Sequence, residues 1–84
     1  MEKYQQGDLL LCKKDFKIKG LKKLNHLILA NGSSTGHKHQ ITKGDGILFQ
    51  DKETNNLFLN IKSSEAELTH EEHKTIFLPK GKYQ

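Results

Sequence analysis

The stretch Ile47–Ile61, which reads ILFQDKETNNLFLNI, decides the fold class of this chain. Two apolar runs, Ile47–Gln50 and Leu57–Ile61, flank the polar loop Asp51–Asn56. Each run is too short for an amphipathic helix of three turns but has the length of a strand, and the loop between them is strongly polar. The stretch therefore predicts a β-hairpin and, with it, a mainly β chain.

Other segments also have the lengths and patterns of strands. The further predicted strands are Asp8–Lys14, Asp15–Lys19, Leu27–Ala30, His37–Thr42 and Thr75–Leu78, the last of them ending at Pro79. Turns are predicted at 6–8, 31–34 and 43–46, where Gly, Asn, Asp and Ser concentrate. Residues 21–24 fit one helical turn, and Thr69 followed by Glu72 forms a capping-box pattern that predicts another near His70.

These elements predict a mainly β fold, a small antiparallel β-barrel or sandwich with one or two short helical turns, formed by a single domain over residues 1–84. A chain of 84 residues has a thin core, because small domains bury a smaller fraction of their surface. Open sheet edges in so small a fold are commonly paired with another copy. We therefore expect a homodimer or a higher homo-oligomer.

Composition predicts the compartment. The chain has no run of about 18 apolar residues that would span a membrane, and the N-terminal segment Met1–Gln6 is too polar for a signal peptide. The single cysteine, Cys12, cannot form an internal disulfide, which is typical of a reducing compartment. The sequence thus predicts a soluble cytoplasmic protein with no membrane partner.

The charge balance leaves two interpretations open. The net charge of +4 comes from fourteen lysines, no arginine and ten acidic residues. Because nucleic-acid sites usually use arginine for bidentate contacts, an all-lysine surface indicates solubility at least as strongly as binding. Six of the lysines lie close together in the sequence, at Lys13, Lys14, Lys17, Lys19, Lys22 and Lys23. An anionic small molecule or a nucleic acid is therefore retained as a candidate partner.

Histidine is concentrated in two segments. Four of the five histidines lie in Thr35–Gln40 and Leu68–His73. On a strand His37 and His39 point to the same face, with Cα atoms about 7 Å apart, which is a chelating arrangement. His70 and His73, three residues apart, share a face only in a helical or turn-like segment, and the capping-box pattern favours the helical one.

If the two segments meet inside a barrel, their side chains form a metal site. The predicted ligands of a divalent transition metal, whether zinc, iron, manganese or nickel, are His37, His39, His70 and His73. Glu71 or Glu72 would act as a further ligand or general base, and Glu72 and His73 are the candidate catalytic groups. The alternative is a solvated pair at residues 37 and 39 and a polar turn at 70–73. His26, alone before an apolar run, is predicted to be structural.

The same motifs carry a family resemblance. Gly36–His39, Leu68–His73 and Leu78–Tyr83 look like the GHxH, LTHEEH and LPxGxY motifs of a group of short uncharacterised bacterial and phage-associated proteins, and the likeness spans most of the chain. That group implies no function. The pair His37 and His39 also resembles the first half of a cupin metal motif, which implies a cupin-like barrel. The glutamate expected soon after His39 is absent.

Three functions of different classes follow from these residues. The first is a metal-binding β-domain, which in a catalytic form would be a small metalloenzyme. The second is a metal-free phosphoesterase acting on nucleotide or RNA by histidine acid–base catalysis, because His73–Ile76 resembles one half of the HxTx motif of two-histidine phosphoesterases. The third is a regulatory or structural module with a basic binding face. Whether the protein is an enzyme stays open at the level of sequence.

Overall fold

A computed structural model describes residues 2–7, 9–31 and 37–84 of the chain. Every regular element in these ranges is a β-strand, which confirms the predicted β class. The strands are β1 (Lys3–Gln6), β2 (Leu9–Cys12), β3 (Leu21–Lys23), β4 (Ile28–Asn31), β5 (Lys38–Lys43), β6 (Gly46–Asp51), β7 (Leu57–His70) and β8 (His73–Tyr83). Within the same ranges no helix is long and apolar enough to cross a membrane.

The fourteen-residue strand β7 is the centre of the sheet. It pairs antiparallel with β8 through a tight hairpin, and with both β5 and β6. The hairpin that links β6 to β7 is the one predicted from residues 47–61, with Gln50 paired to Leu57. Outside β5 and β6 lie β4 and β3, each paired antiparallel with one of them.

The predicted turn at residues 43–46 is instead a kink. Since β5 and β6 both run antiparallel to β7, they run in the same direction, and the chain continues through Gly44 and Asp45 without reversing. The carbonyl of Asp45 accepts hydrogen bonds from the N–H groups of Lys62 and Ser63, at 2.8 and 3.3 Å. Gly44, at φ +97°, is so close to Ala66 that a Cβ would lie 2.8 Å from the Ala66 Cα. The glycine therefore serves a close approach of two strands.

Irregularities at the same level of neighbouring strands bend the sheet. The kink between β5 and β6 faces a register shift between β7 and β8, which lies between Ile61 and Glu65. On the other side, β3 and β4 also run in one direction and are separated by residues 24–27. Bulges and breaks in register increase local twist and bend strands. Together they curl the antiparallel sheet into a half-barrel.

The concave side of the half-barrel holds the apolar core. Its members are aliphatic side chains from β2 and β4–β8 together with one tyrosine near the C-terminus. They are Leu11, Leu29, Ile41, Leu48, Leu59, Ile61, Ala66, Leu68, Leu78 and Tyr83. Leu48, Ile61, Leu78 and Tyr83 have no exposed surface. Burial of this apolar surface is the main force that holds the curled sheet together.

The N-terminal hairpin closes one side of the half-barrel. β1 and β2 are paired along their whole length, with Lys3 opposite Cys12 at one end and Gln6 opposite Leu9 at the other. The chain therefore reverses between Gln6 and Leu9, as the turn predicted at 6–8 requires. At the end of β2, Cys12 and Gln84 exchange two backbone hydrogen bonds, at 3.1 and 2.9 Å. The hairpin is thereby joined to the end of β8, and its turn lies beside the start of that strand. The strand β1 was not predicted, because its sequence is almost entirely polar.

Several local predictions are wrong, and packing explains two of them. Residues 15–19 form no strand; Phe16 instead lies against Phe49 and Phe58, with ring centroids 6.1 and 5.1 Å apart. Pro79 does not end the last strand, because it pairs with Glu65 next to the register shift between β7 and β8, and strands tolerate a residue without a backbone N–H at such irregularities. Residues 21–24 hold strand β3 rather than a helical turn. The loop predicted at 31–34 lies mostly outside the described residues.

Candidate histidine site

The segment around His70 is a hairpin turn, and this corrects the predicted helical turn. β7 ends at His70, β8 begins at His73, and the two residues are directly paired across the turn formed by Glu71 and Glu72. Directly opposed residues on antiparallel strands point to the same face. A two-residue hairpin therefore brings histidines three positions apart to one face, as a helix would, and pairing with neighbouring strands favours the hairpin.

A β-bulge is needed for this arrangement. Leu68 pairs with Ile76, and His70 pairs with His73. Between these two pairs lie one residue of β7 and two residues of β8, so β8 contains one extra residue. On a regular strand, residues three apart point to opposite faces of the sheet, so without the bulge His73 and Ile76 would lie on different faces. The bulge thus directs both histidines of the hairpin to the face that carries Leu68, which is 1% exposed and part of the core.

His39 reaches the same place from strand β5. It lies two residues before the core residue Ile41, so its side chain points to the concave face, and it is only 4% exposed. His37 precedes the first residue of β5 and is half-buried. The two predicted histidine segments are therefore brought together at one end of the half-barrel.

His70 lies at the centre of the cluster, near the other three histidines. Its ring centroid lies 5.5 Å from that of His37, 4.3 Å from that of His39 and 4.6 Å from that of His73. The rings of His39 and His73 lie 6.1 Å apart. Burial is graded, since His39 is buried, His37 and His70 are half-buried and His73 is exposed. The cluster thus reaches from the core to the surface.

The two glutamates of the turn have different contacts. Glu72 Oε1 lies 2.9 Å from Nδ1 of His37, whose N–H donates to it. Both carboxylate oxygens of Glu71 accept the backbone N–H of Lys38, at 3.2 and 3.1 Å. That hydrogen bond and one from its own backbone hold the pKa of Glu71 below its ordinary value, with a smaller effect of His37 and His70 when they are protonated. Glu71 is therefore an anion beside the histidines at neutral pH.

Hydrogen bonds also define which ring nitrogen carries the proton. Nδ1 of His70 accepts the backbone N–H of Glu72 at 3.0 Å, so a neutral His70 carries its hydrogen on Nε2. His37 donates from Nδ1, so its neutral form has its lone pair on Nε2. A proton-donating and a proton-accepting imidazole thus lie side by side.

Two residues of the N-terminal hairpin complete the site, and sequence reasoning missed both. Gln6, 3% exposed, contacts His39 Nδ1 through Oε1 at 2.9 Å. Gly7 lies against His73, since a Cβ on Gly7 would be 2.6 Å from His73 Nε2, and its φ of +62° also favours glycine. A glutamine beside a turn glycine gives no local signal of a buried role. Their importance follows from pairing with residues more than thirty positions away.

His26 is separate from the cluster. It is exposed, and its Nδ1 accepts the N–H of Ile28 at 3.1 Å. Among the described residues, the ligand atoms of His37, His70 and Glu71 lie within 4.8 Å of one another, which is the geometry of a potential metal group.

Comparison with protein families places the chain in one of them. A model described as a domain of unknown function, DUF8820, matches residues 5–84. The chain belongs to the DUF8820 family. The match includes Gln6, Gly7 and all four clustered histidines, so the complete site lies within the DUF8820 region. Neither the curated proteins nor the solved structures contain a match to the chain.

Proposed function

We propose that the histidine cluster binds a divalent transition metal, with His37, His39, His70 and His73 as the candidate ligands. The observation that carries this proposal is the convergence of four imidazoles from two chain segments, at the ends of β5, β7 and β8. Neutral imidazole is the commonest metal ligand among side chains and suits zinc, iron and nickel, and a carboxylate neighbour extends the range to manganese.

The spacing of the rings supports a shared ion. In a tetrahedral site with metal–nitrogen bonds of about 2.1 Å, neighbouring imidazole centroids are about 5 Å apart. The observed separations of 4.3 to 6.1 Å bracket that value. The hydrogen bond from His37 to Glu72 supports the proposal further, because metal-bound histidines usually donate their second ring N–H to a carboxylate or carbonyl.

One ligand has to rearrange on binding. His70 accepts the N–H of Glu72 through Nδ1, and ligation through Nε2 requires the hydrogen to move to Nδ1, where it opposes that N–H. Metal binding should therefore shift the turn at Glu71 and Glu72. Glu71 is well placed to become a ligand in that shift, and we propose that it takes the role of the glutamate that is absent from the cupin-like motif after His39.

Three histidines and one carboxylate would fill a tetrahedral site, but on a five- or six-coordinate ion they would leave a position for water or substrate, which is the arrangement of a small metalloenzyme. Glu72 and His73, at the exposed side of the cluster, are the groups we assign to proton transfer in such a reaction. The direct test is elemental analysis of protein purified without a histidine tag. Near-stoichiometric transition metal is the expected result, and protein that neither retains nor takes up zinc, iron, manganese or nickel contradicts the proposal.

A metal-free phosphoesterase is the second candidate, and the proton positions favour it. His37 offers a lone pair on Nε2 and His70 offers an N–H on Nε2, with their rings 5.5 Å apart. A base and an acid so close together suit the cleavage of a phosphoester in nucleotide or RNA. Cleavage that persists in excess chelator and is lost in both His37→Ala and His70→Ala would favour this function over metal binding.

A basic surface supports an anionic partner. An open groove of about 400 Å³ is lined in part by Lys62, Lys80 and Lys82. Lys82 is partly neutralised by Asp15 at 3.2 Å. We propose binding of a small anion or nucleic acid here as a third, weaker function. Binding to an oligonucleotide that falls steeply with salt would support it.

We also propose self-association in a reducing cytoplasmic compartment. Leu10, Ile18 and Phe77 are 46 to 53% exposed, and the edge strands β3 and β4 each have one described neighbour. Pairing such features with a second copy removes them from water. Sedimentation should show a homodimer or higher oligomer at micromolar concentration, and a monomer there contradicts this proposal. Cys12, a free thiol, is consistent with a reducing environment.

A further inference from the structure

We propose that Gln6 is a positioning residue of the histidine site: it holds His39 in the form that carries its hydrogen on Nδ1 and thereby makes Nε2 the ligand atom. The consequence for metal affinity rests on the proposed function. The position of the hydrogen on His39 does not, and it is measurable in the metal-free protein.

The orientation of the Gln6 amide is determined by its neighbours. Gln6 Nε2 lies 3.0 Å from the carbonyl oxygen of Leu68 and 2.8 Å from that of Lys74. Both neighbours only accept hydrogen bonds, so the NH₂ group has to face them. A flipped amide would bring three oxygen atoms together and leave both carbonyls without this donor. At 3% exposure, water cannot easily compensate for that loss.

This orientation decides the role of His39. With the amide nitrogen committed to two carbonyls, Oε1 of Gln6 faces Nδ1 of His39 at 2.9 Å. An amide oxygen only accepts, so Nδ1 has to carry the hydrogen. In the neutral ring the lone pair is then on Nε2, and burial of His39 at 4% exposure keeps solvent from competing for Nδ1. A ligand with a defined tautomer needs no proton rearrangement before it binds a metal.

The bulge in β8 connects Gln6 to the hairpin that carries the other histidines. Lys74 lies within the bulge, between the His70–His73 and Leu68–Ile76 pairs, and its carbonyl accepts from Gln6. One glutamine side chain therefore links β1, β5, β7 and β8. It holds the N-terminal hairpin over the site, where Gly7 leaves room for the His73 ring.

The experiment reads the tautomer of His39 by long-range nitrogen–proton correlation NMR of metal-free protein at mildly alkaline pH. In the wild type we expect the hydrogen on Nδ1, and a hydrogen on Nε2 overturns the proposal outright. Gln6→Leu, which keeps the volume but offers no acceptor, should lose this preference. Gln6→Glu should retain it, because burial beside two carbonyl oxygens favours a protonated carboxyl, whose O–H donates to one carbonyl while its other oxygen faces Nδ1. A folded Gln6→Leu protein with an unchanged tautomer also overturns the proposal. If Gln6→Leu does not fold, the wild type and Gln6→Glu decide.

Zinc titration then connects the tautomer to the site. Because loss of an outer-shell partner typically weakens metal binding by about 10- to 100-fold, we expect a reduction of that size in Gln6→Leu and a smaller one in Gln6→Glu. Gln5→Ala is the matched control, since the Gln5 side chain is exposed and, within the part of the chain that the structure describes, its one hydrogen bond is to the Gly7 carbonyl. Unchanged affinity in Gln6→Leu overturns the positioning role. A wild type that binds no metal refutes the proposed function instead, while the NMR result still decides the tautomer.

Discussion

His70 and His73 face each other across the β7–β8 turn, with ring centroids 4.6 Å apart. The pair depends on two features of the hairpin, a two-residue turn and a bulge that adds one residue to β8. His70 also takes part in the turn, since its Nδ1 accepts the Glu72 N–H, whereas the bulge lies beyond the pair, between His73 and Ile76. The site is therefore a product of strand pairing.

Replacement of single histidines tests the proposed metal site. His37→Ala and His39→Ala should each reduce zinc affinity by about 100-fold or more, since a lost ligand should cost at least as much as a lost outer-shell partner. His26→Ala is the control, because His26 lies outside the cluster. The site would be refuted if the three single variants, His37→Ala, His39→Ala and His70→Ala, all retained the metal content of the wild type. Affinity should also fall at acidic pH, because protons compete for the imidazole lone pairs.

Metal should stabilise the fold. A ligand that binds only the folded state, at about 100 times its Kd, adds about 2.7 kcal/mol to the free energy of unfolding. In a domain of this size that corresponds to a Tm increase of roughly 10 to 20 °C. Thermal denaturation of the wild type with zinc and with chelator measures the difference. The same scans of His39→Ala should show little change, and an equal increase in that variant would point to binding elsewhere.

Glu71 should contribute to stability against acid. Its folded-state pKa is lowered, chiefly by the Lys38 N–H, so its stabilising effect is present above its ordinary pKa of 4.5 and is lost as pH falls through the lower folded value. Glu71→Gln keeps an acceptor for Lys38 but has no charge to lose. Chemical denaturation across acidic pH should give a shallower decline in the free energy of unfolding for the variant, whereas equal slopes would exclude this role.

Tyr83 should ionise only in strong alkali. Burial, with smaller effects of nearby Tyr4 and Glu2, raises its pKa to about 12, and its hydroxyl donates to the Pro79 carbonyl. Because the folded pKa exceeds that of the unfolded chain, the stability it contributes is present below about pH 10 and is lost as pH rises toward 12. Ultraviolet titration of Tyr4→Phe, which leaves Tyr83 as the only tyrosine, measures this pKa. A midpoint near 10 in the folded variant would contradict the burial.

The kink at Gly44 should tolerate no side chain. Gly44 and Gly20 both have positive φ, but a Cβ at Gly44 would lie 2.7 Å from the Glu65 carbonyl oxygen, whereas no atom of a described residue would lie within 4 Å of one at Gly20. Gly20→Ala should cost about 1 to 2 kcal/mol from backbone strain alone. Gly44→Ala should cost about 1 to 3 kcal/mol more from overpacking. Denaturant unfolding of the two variants gives the comparison, and equal losses would mean that the β7 backbone is not in contact there.

The turn prediction at residues 43–46 shows where local reasoning is limited. Glycine at positive φ is required equally by a tight turn and by a kink beside a neighbouring strand, so Gly44 and Asp45 look the same in either case. Which of the two forms depends on the partners that their backbone finds. Here Lys62 and Ser63, nearly twenty residues away, donate to the Asp45 carbonyl.

The amino-acid sequence by itself determined the β class, the hairpin at residues 47–61 and the two segments that carry the histidines. Short apolar runs and turn residues are local properties, and strands form wherever such runs can bury one face. The tertiary structure alone decided that the four histidines meet and that Gln6 lies beneath one of them. Apart from the His70–His73 pair across the turn, those contacts join residues more than thirty positions apart. They depend on register, a bulge and the curl of the sheet, which arise only when all strands pack around one core.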